Sequence, residues 1–227
     1  MSGFDYSSEA GNAYHLAHHG EFINNPNLLE AWGSYAHRTY LGFLRPGQSV
    51  LEFGAGLGAN LVSVKKCCSV YAVEQAPLAQ KHCAFLGLSV FDSFAKVNAA
   101  LRFDAIMLRH VLEHLSEPRA LLSEFLGRLS PGGRLVLVLP MESPRATVDK
   151  NDCDHHLYSW NRQTITNLLE HAGYRVLSAR INYYNGKKIF LPLYRLFGSR
   201  VYVAAMSVLG RLRNRCEIVI EACAEAS

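Results

Sequence analysis

The sequence predicts an open α/β fold in which a mostly parallel, seven-stranded sheet carries helices on both faces. Three observations point there. Short apolar runs alternate with helical patterns from residue 49 onward; the runs are apolar throughout; and the first of them ends in a glycine-rich turn. A strand that is apolar on both sides needs cover on both faces, as in a parallel sheet held between two helical layers. In such folds ligands bind beyond the carboxyl ends of the strands.

The elements follow in order. Residues 1–24 are polar, and Tyr14, His15, His18 and His19 cluster ahead of Phe22. This stretch reads as an arm or a lid that orders on ligand rather than a metal tract, because no acid or cysteine completes a ligand set. Asn25-Pro26 starts a helix with proline at its first position, and Leu28, Leu29, Trp32, Tyr35, Ala36, Thr39, Tyr40 and Phe43 follow at helical spacing. Arg45-Pro46-Gly47 stops it.

The first strand is Val50 to Phe53, and a helix is expected from Ala59 to Cys67 behind the glycine turn. Val70 to Val73 is a second strand ending at Glu74. Pro77 to Leu86 is helical, and Ser89 to Phe91 is a short third strand ahead of Asp92. Phe103 to Leu108 is the fourth strand. A helix from Pro118 to Leu129 stops at Pro131-Gly132-Gly133, and Arg134 to Leu139 is the fifth strand. Thr164 to Gly173 is a helix, and Tyr174 to Ala179 a sixth strand. Ile189 to Leu212 forms one or two amphipathic helices, and Glu217 to Cys223 is the last strand. The helical addition at 189–212 sits before that strand, and no linker separates it. A single domain over 1–227 is therefore expected: arm and helix 1–47, ligand-binding half 48–140, substrate-side half 141–227.

Composition sets bounds. The chain has 227 residues, 49% hydrophobic and 19% charged, enough to bury a real core. Residues 1–150 balance thirteen basic against thirteen acidic side chains, so the net charge of +4 comes from the ten basic and six acidic residues of 151–227. That bias suits an anionic substrate or surface and falls short of a nucleic-acid footprint. The six cysteines form no C-x-x-C pair and read as reduced thiols of a cytoplasmic protein. The first residues lack the basic and apolar regions of an export signal, and no run is long enough for a membrane span.

The glycine turn admits two cofactors. Gly54, Gly56 and Ala59 fit G-x-G-x-x-G/A, with Glu74 about twenty residues on, as in a dinucleotide site. Gly54, Gly56 and Gly58 behind Glu52 also fit E/D-x-G-x-G-x-G, a pattern that binds S-adenosylmethionine. Glu52 suits a ligand with an ammonium group and would repel a pyrophosphate.

Further residues arbitrate. Leu-Glu-Phe-Gly-Ala-Gly-Leu-Gly at 51–58, Val-Tyr-Ala-Val-Glu at 70–74, Phe-Asp-Ala-Ile-Met-Leu-Arg-His-Val-Leu-Glu-His-Leu at 103–115 and Leu-Ser-Pro-Gly-Gly-Arg-Leu-Val-Leu-Val-Leu-Pro at 129–140 resemble class I S-adenosylmethionine-dependent methyltransferases. The resemblance covers about residues 48–180 and implies a Rossmann-like fold. It is strongest to the group acting on small molecules, lipids, quinones or sugars. His-Leu-Tyr-Ser-Trp-Asn at 156–161 is similar to that group's loop after the fifth strand.

The resemblance implies that Glu52, Gly54, Ala55 and Gly56 hold the methionine end and that Glu74, beside Gln75, accepts the ribose hydroxyls. It places Asp92 or its backbone at the adenine, and Leu108 and Arg109 along the pocket. Arg109 departs from the small or polar residue usual there and faces either the substrate or the cofactor carboxylate.

Methyl transfer to a hydroxyl needs a base. The candidates are His110 after the fourth strand, and His155 and His156 in the loop Asp152-Cys153-Asp154-His155-His156, where an acid beside a histidine orients the ring. His114 reads as a packing or capping residue, and the loop is too tight to aim its acids and histidines at one ion, so no metal is expected. Tyr158, Trp160, Trp32 and Tyr40 are candidate pocket walls. The expectation is methyl transfer to oxygen of a small-molecule, glycan or lipid-precursor acceptor, anionic or lipid-linked. The alternatives are an NAD-type oxidoreductase and a non-catalytic scaffold. Peripheral membrane contact through 189–212 and a homodimer are further readings of the basic, apolar last third.

Overall fold

The computed structural model describes residues 5–142, 152 and 154–225. Helix α1 spans Glu9–His19, α2 Glu21–Asn24 and α3 Pro26–Tyr40. The Asn25 side chain caps α3 by accepting from Leu28 N–H at 3.0 Å, and Pro26 occupies the first turn, where its missing N–H costs nothing. There follow β1 (Ser49–Phe53), β2 (Ser69–Val73), α4 (Pro77–Phe85), β3 (Ser89–Phe91), β4 (Phe103–Arg109), α5 (Pro118–Leu126) and β5 (Leu129–Pro140). The chain closes with α6 (Arg162–His171), β6 (Tyr174–Tyr183), α7 (Leu191–Leu212) and β7 (Cys216–Ala224).

All seven strands form one sheet in the order β3-β2-β1-β4-β5-β7-β6. β7 alone runs against its neighbours β5 and β6. Strand alternation separates two cores. Val50, Val70, Ala105, Met107, Val136 and Val219 face the layer of α3, α4 and α7. Leu51, Ile106, Leu108, Leu135, Leu137 and Ile218 face α5 and α6. Strand order reverses between β1 and β4, which opens a crevice at their carboxyl ends.

Three expectations change. Residues 59–67 form turns with one short 3₁₀ stretch at Val64–Lys66, not a helix. The positive-φ glycines 54, 56 and 58 keep the chain turning, and Leu61 N–H pairs three residues back with Gly58. β5 begins at Leu129 rather than Arg134, because Pro131-Gly132-Gly133 forms a bulge between the Phe103–Leu129 and Ala105–Arg134 pairs. β6 runs on to Tyr183, with β7 beside it along its length. The helical addition is two helical segments, together α7, joined at Gly198, whose φ 75° and ψ −172° are not helical.

Candidate functional site

The corner after β1 is built by residues distant in sequence. Gly54 (φ 73°) and Gly56 (φ 52°) adopt a conformation that side chains disfavour. A Cβ on Gly54 would collide with Val111, and one on Gly56 would lie in ordinary contact with the His15 ring, so there only the positive φ favours glycine. The arm thus folds over the corner as α1, and its His15 Nε2 lies 3.5 Å from Glu74 Oε1. Glu74 also accepts from Gly56 N–H at 2.7 Å and Ala76 N–H at 2.8 Å. Burial pushes its carboxyl up, but His15 and the two backbone donors outweigh this and hold it below the ordinary range.

Glu52 is fully buried, one turn of chain from the glycines. Its Oε1 accepts from Asn60 Nδ2 at 2.6 Å, and Trp32 Nε1 donates to the Asn60 carbonyl at 2.9 Å. Its Oε2 has no partner among the described residues. Burial raises the carboxyl to about 8, against the pull of Asn60. That unmatched oxygen suits an ammonium group, but Glu52 does not itself line the cavity at this corner and meets it through Asn60, which does.

A cavity of about 1010 Å³ runs from this corner to the far side of β4. Its walls include Gly54, Ala55, Gly56, Glu74, Gln75, Arg109, His110 and His156. Leu108 does not line it. Strand alternation sends Leu108 into the α5–α6 core and Arg109 to the opposite face. Asp92 lies just past β3 and outside the lining, paired with Lys96 at 2.5 Å. His155 is exposed and outside the lining, whereas His156 enters the wall with Nδ1 on the Glu142 carboxylate. Tyr158 and Trp160 stack on each other at 5.3 Å, away from the cavity, and Tyr40 is buried behind it. Cys153 lies outside the described residues; the five described cysteines are free.

The feature that sequence reasoning missed is Glu217. It is fully buried at the start of β7, and only the antiparallel course of that strand brings it to the carboxyl ends of the others. Tyr40 Oη donates to it, Asn182 Nδ2 donates at 2.7 Å, and Arg109 Nη2 approaches at 3.4 Å. His110 Nε2 stands 3.3 Å from Glu217 Oε2. Burial would raise this carboxyl, but Arg109, His110 and Tyr40 hold it below the usual range. Burial and Arg109 lower the His110 ring below its ordinary range, against the pull of Glu217. His110 itself takes φ 53°, a strained conformation for a residue with a side chain. The available signal was an acid opening an otherwise apolar strand.

Around this group the cavity is aromatic and cationic. The Arg109 guanidinium lies 5.1 Å from the Trp32 ring centre and 5.7 Å from that of Tyr184, to whose hydroxyl Arg109 donates at 3.1 Å. Lys187 Nζ sits 4.8 Å over Phe22 and pairs with Glu21.

The comparisons accord with this geometry. Residues 27–179 match the family model of a methyltransferase domain. The carboxy-S-adenosyl-L-methionine synthase of Escherichia coli is 29% identical over 126 residues, covering 49% of each chain. The chain thus spans about half the length of the curated relatives it matches. Among solved structures, a 1,6-didemethyltoxoflavin-N1-methyltransferase of Burkholderia thailandensis, with S-adenosylhomocysteine bound, has TM-score 0.60 at 15% identity. That likeness covers 97% of this chain and 87% of the other. A SAM-dependent methyltransferase of Archaeoglobus fulgidus has TM-score 0.57 at 18% identity, covering 83% and 91%.

The structural likenesses concern the fold, and the methyltransferase-domain match over residues 27–179 sets the dinucleotide reading aside in favour of S-adenosylmethionine. With its strand order, glycine corner and matched 27–179 segment, the chain belongs to the methyltransferase-domain family.

Proposed function

We propose that the protein transfers a methyl group from S-adenosylmethionine to an oxygen of a small anionic acceptor. The observation that supports this most is the continuity of one cavity from Glu74 and the glycine corner to Trp32, Tyr184, Arg109 and Lys187. The cofactor supplies a methyl carbon already activated by a sulfonium, so the chain's task is alignment and exclusion of water. Glu52 meets an ammonium with its spare oxygen, and Glu74 the ribose hydroxyls. Ala55 and Gln75 line the same end, whereas Asp92, paired with Lys96 outside the lining, is given no role there. Arg109, braced between two rings, binds an acceptor acid and aligns it. His110 takes the hydroxyl proton, and Glu217 behind it fixes the ring and stabilises the charge it gains. His156, held by Glu142, anchors the loop.

The acceptor is tested with methyl-labelled cofactor and paired phenols or alcohols with and without a carboxylate or phosphate. Label should enter the acidic member of each pair, and Arg109→Met should raise its KM about tenfold or more. Turnover indifferent to the acid group would refute this reading.

A lipid-linked acceptor is a second reading. Residues 171–216 hold nine Lys/Arg and no acid, and α7 exposes Leu196, Phe197, Val208 and Leu212 beside Arg200 and Arg211. No helix among the described residues is long and apolar enough to cross a membrane. Binding to anionic vesicles and not to neutral ones would favour surface contact.

A further inference from the structure

We propose that Glu113, His114 and His156 form a divalent-metal site of the zinc type in the cavity wall. One donor atom from each lies within 4.8 Å of the others, although His156 is separated from the pair by more than forty residues. Glu113 is fully buried, and neither of its carboxylate oxygens has a hydrogen-bond partner among the described residues. Loop anchoring does not account for that side chain. The Glu113 carbonyl already secures the loop by accepting from Leu157 N–H at 2.8 Å and Tyr158 N–H at 3.3 Å. The carboxylate is aimed at His156 Nε2, 3.9 Å away, and otherwise has no assignment.

The surroundings are those of a ligand set. Tyr6 Oη holds His114 Nδ1 at 3.1 Å, and the Glu142 carboxylate holds His156 Nδ1. Metal-bound histidines are commonly oriented in this way by hydrogen bonds to the other ring nitrogen. The two rings meet edge to face at 4.8 Å. Tetrahedral zinc at about 2.1 Å from each donor needs donors about 3.4 Å apart. The set must therefore contract by roughly an ångström, with His114 giving up its bond to the His155 backbone. Glu142 and Asp154 add negative charge nearby, against Arg109. His114 and His156 line the cavity, so a fourth position on the ion would face it. Two histidines and one carboxylate suit zinc or another borderline divalent ion.

Cobalt(II) titration of the chelator-stripped full chain tests the assignment. One equivalent should bind with visible d–d bands and no thiolate charge-transfer bands, and zinc should displace it. Glu113→Gln, His114→Ala and His156→Ala should each weaken uptake about 100-fold or more. Glu142→Gln and Tyr6→Phe, which leave all three donors in place, should weaken it about 10- to 100-fold. Absence of saturable uptake by the wild-type chain, thiolate bands in its spectrum, or unchanged uptake in the folded triad variants would each overturn the proposal. The wild-type measurements decide the matter even where a variant fails to fold.

Discussion

Replacing Glu52 by glutamine separates an ammonium-binding role from a merely structural one. In the empty corner the buried carboxyl titrates at about 8, so at pH 7 it is mostly protonated. A ligand whose ammonium needs the ionised form must expel that proton on binding. Apparent affinity should then rise about tenfold per pH unit between 6 and 7, flatten near 8, and fall above it as the ligand's amino group loses its proton. The ligand's own amino group, with a pKa near 8, stays charged over the rising part. Glutamine keeps the shape and can still pair with Asn60, but it does not titrate. The variant should lose the pH slope. It should also lose a charge-assisted hydrogen bond of about 1.5–3 kcal/mol, which is roughly 10- to 100-fold in affinity at pH 8. Calorimetry with S-adenosylhomocysteine at pH 6, 7 and 8, in two buffers of different ionisation enthalpy, reads both affinity and proton release. A flat wild-type profile, or the same slope in Glu52→Gln, would refute the reasoning.

Glu74→Ala removes the acceptor for Gly56 N–H, Ala76 N–H and His15 together, so cofactor affinity should fall by about 100-fold or more. An unchanged dissociation constant would remove Glu74 from the site. His110→Ala should lower kcat by about 10²–10⁴ and leave cofactor affinity intact, while Glu217→Gln should lower kcat less and shift its pH profile. Wild-type turnover in His110→Ala would assign the base elsewhere.

Stability should also carry a pH signature. Burial raises the carboxyls of Glu52 and Glu113 to about 8 and 7 in the fold. Groups raised in this way contribute stability that is complete below the ordinary carboxyl range and is lost as pH rises through their folded values. Their joint contribution is therefore lost from about pH 4.5 up to about 8; over its upper part, from about pH 6.5 to 8, the unliganded protein's Tm should fall and then level off, and the Glu52→Gln/Glu113→Gln double variant should flatten that fall. The depressed histidines His110 and His114 destabilise only as pH drops through about 6.5, outside this window. An identical decline in the double variant would show that other groups carry it.

Much of the sheet was legible because its strands are apolar on both sides, a pattern that only a sheet covered on both faces satisfies. The corner was legible because glycines at 54, 56 and 58 are tolerated there for a backbone reason. The turn behind them was not: residues 59–67 have apolar spacing that a helix could use, but Asn60, held by Trp32 of α3 and by Glu52 of β1, and the buried Leu61 sit in turns. The choice between Leu108 and Arg109 as cavity residue came from strand alternation, which one residue of register decides. His155 and His156 are neighbours of equal chemistry, and only the fold sends one into the wall and leaves the other exposed.

From local pattern alone the sequence determined the α/β class, the order of the strands and the cofactor corner, since each depends on local period, turn chemistry and a charge close to the glycines. The tertiary structure decided the rest. β7 enters the sheet antiparallel, and that reversal carries Glu217 to His110 and Arg109 across more than a hundred residues of chain. α1 folds back to set His15 on Glu74, and the loop after β5 returns His156 to Glu113 and His114. Such meetings depend on strand direction and chain return, which no local pattern encodes.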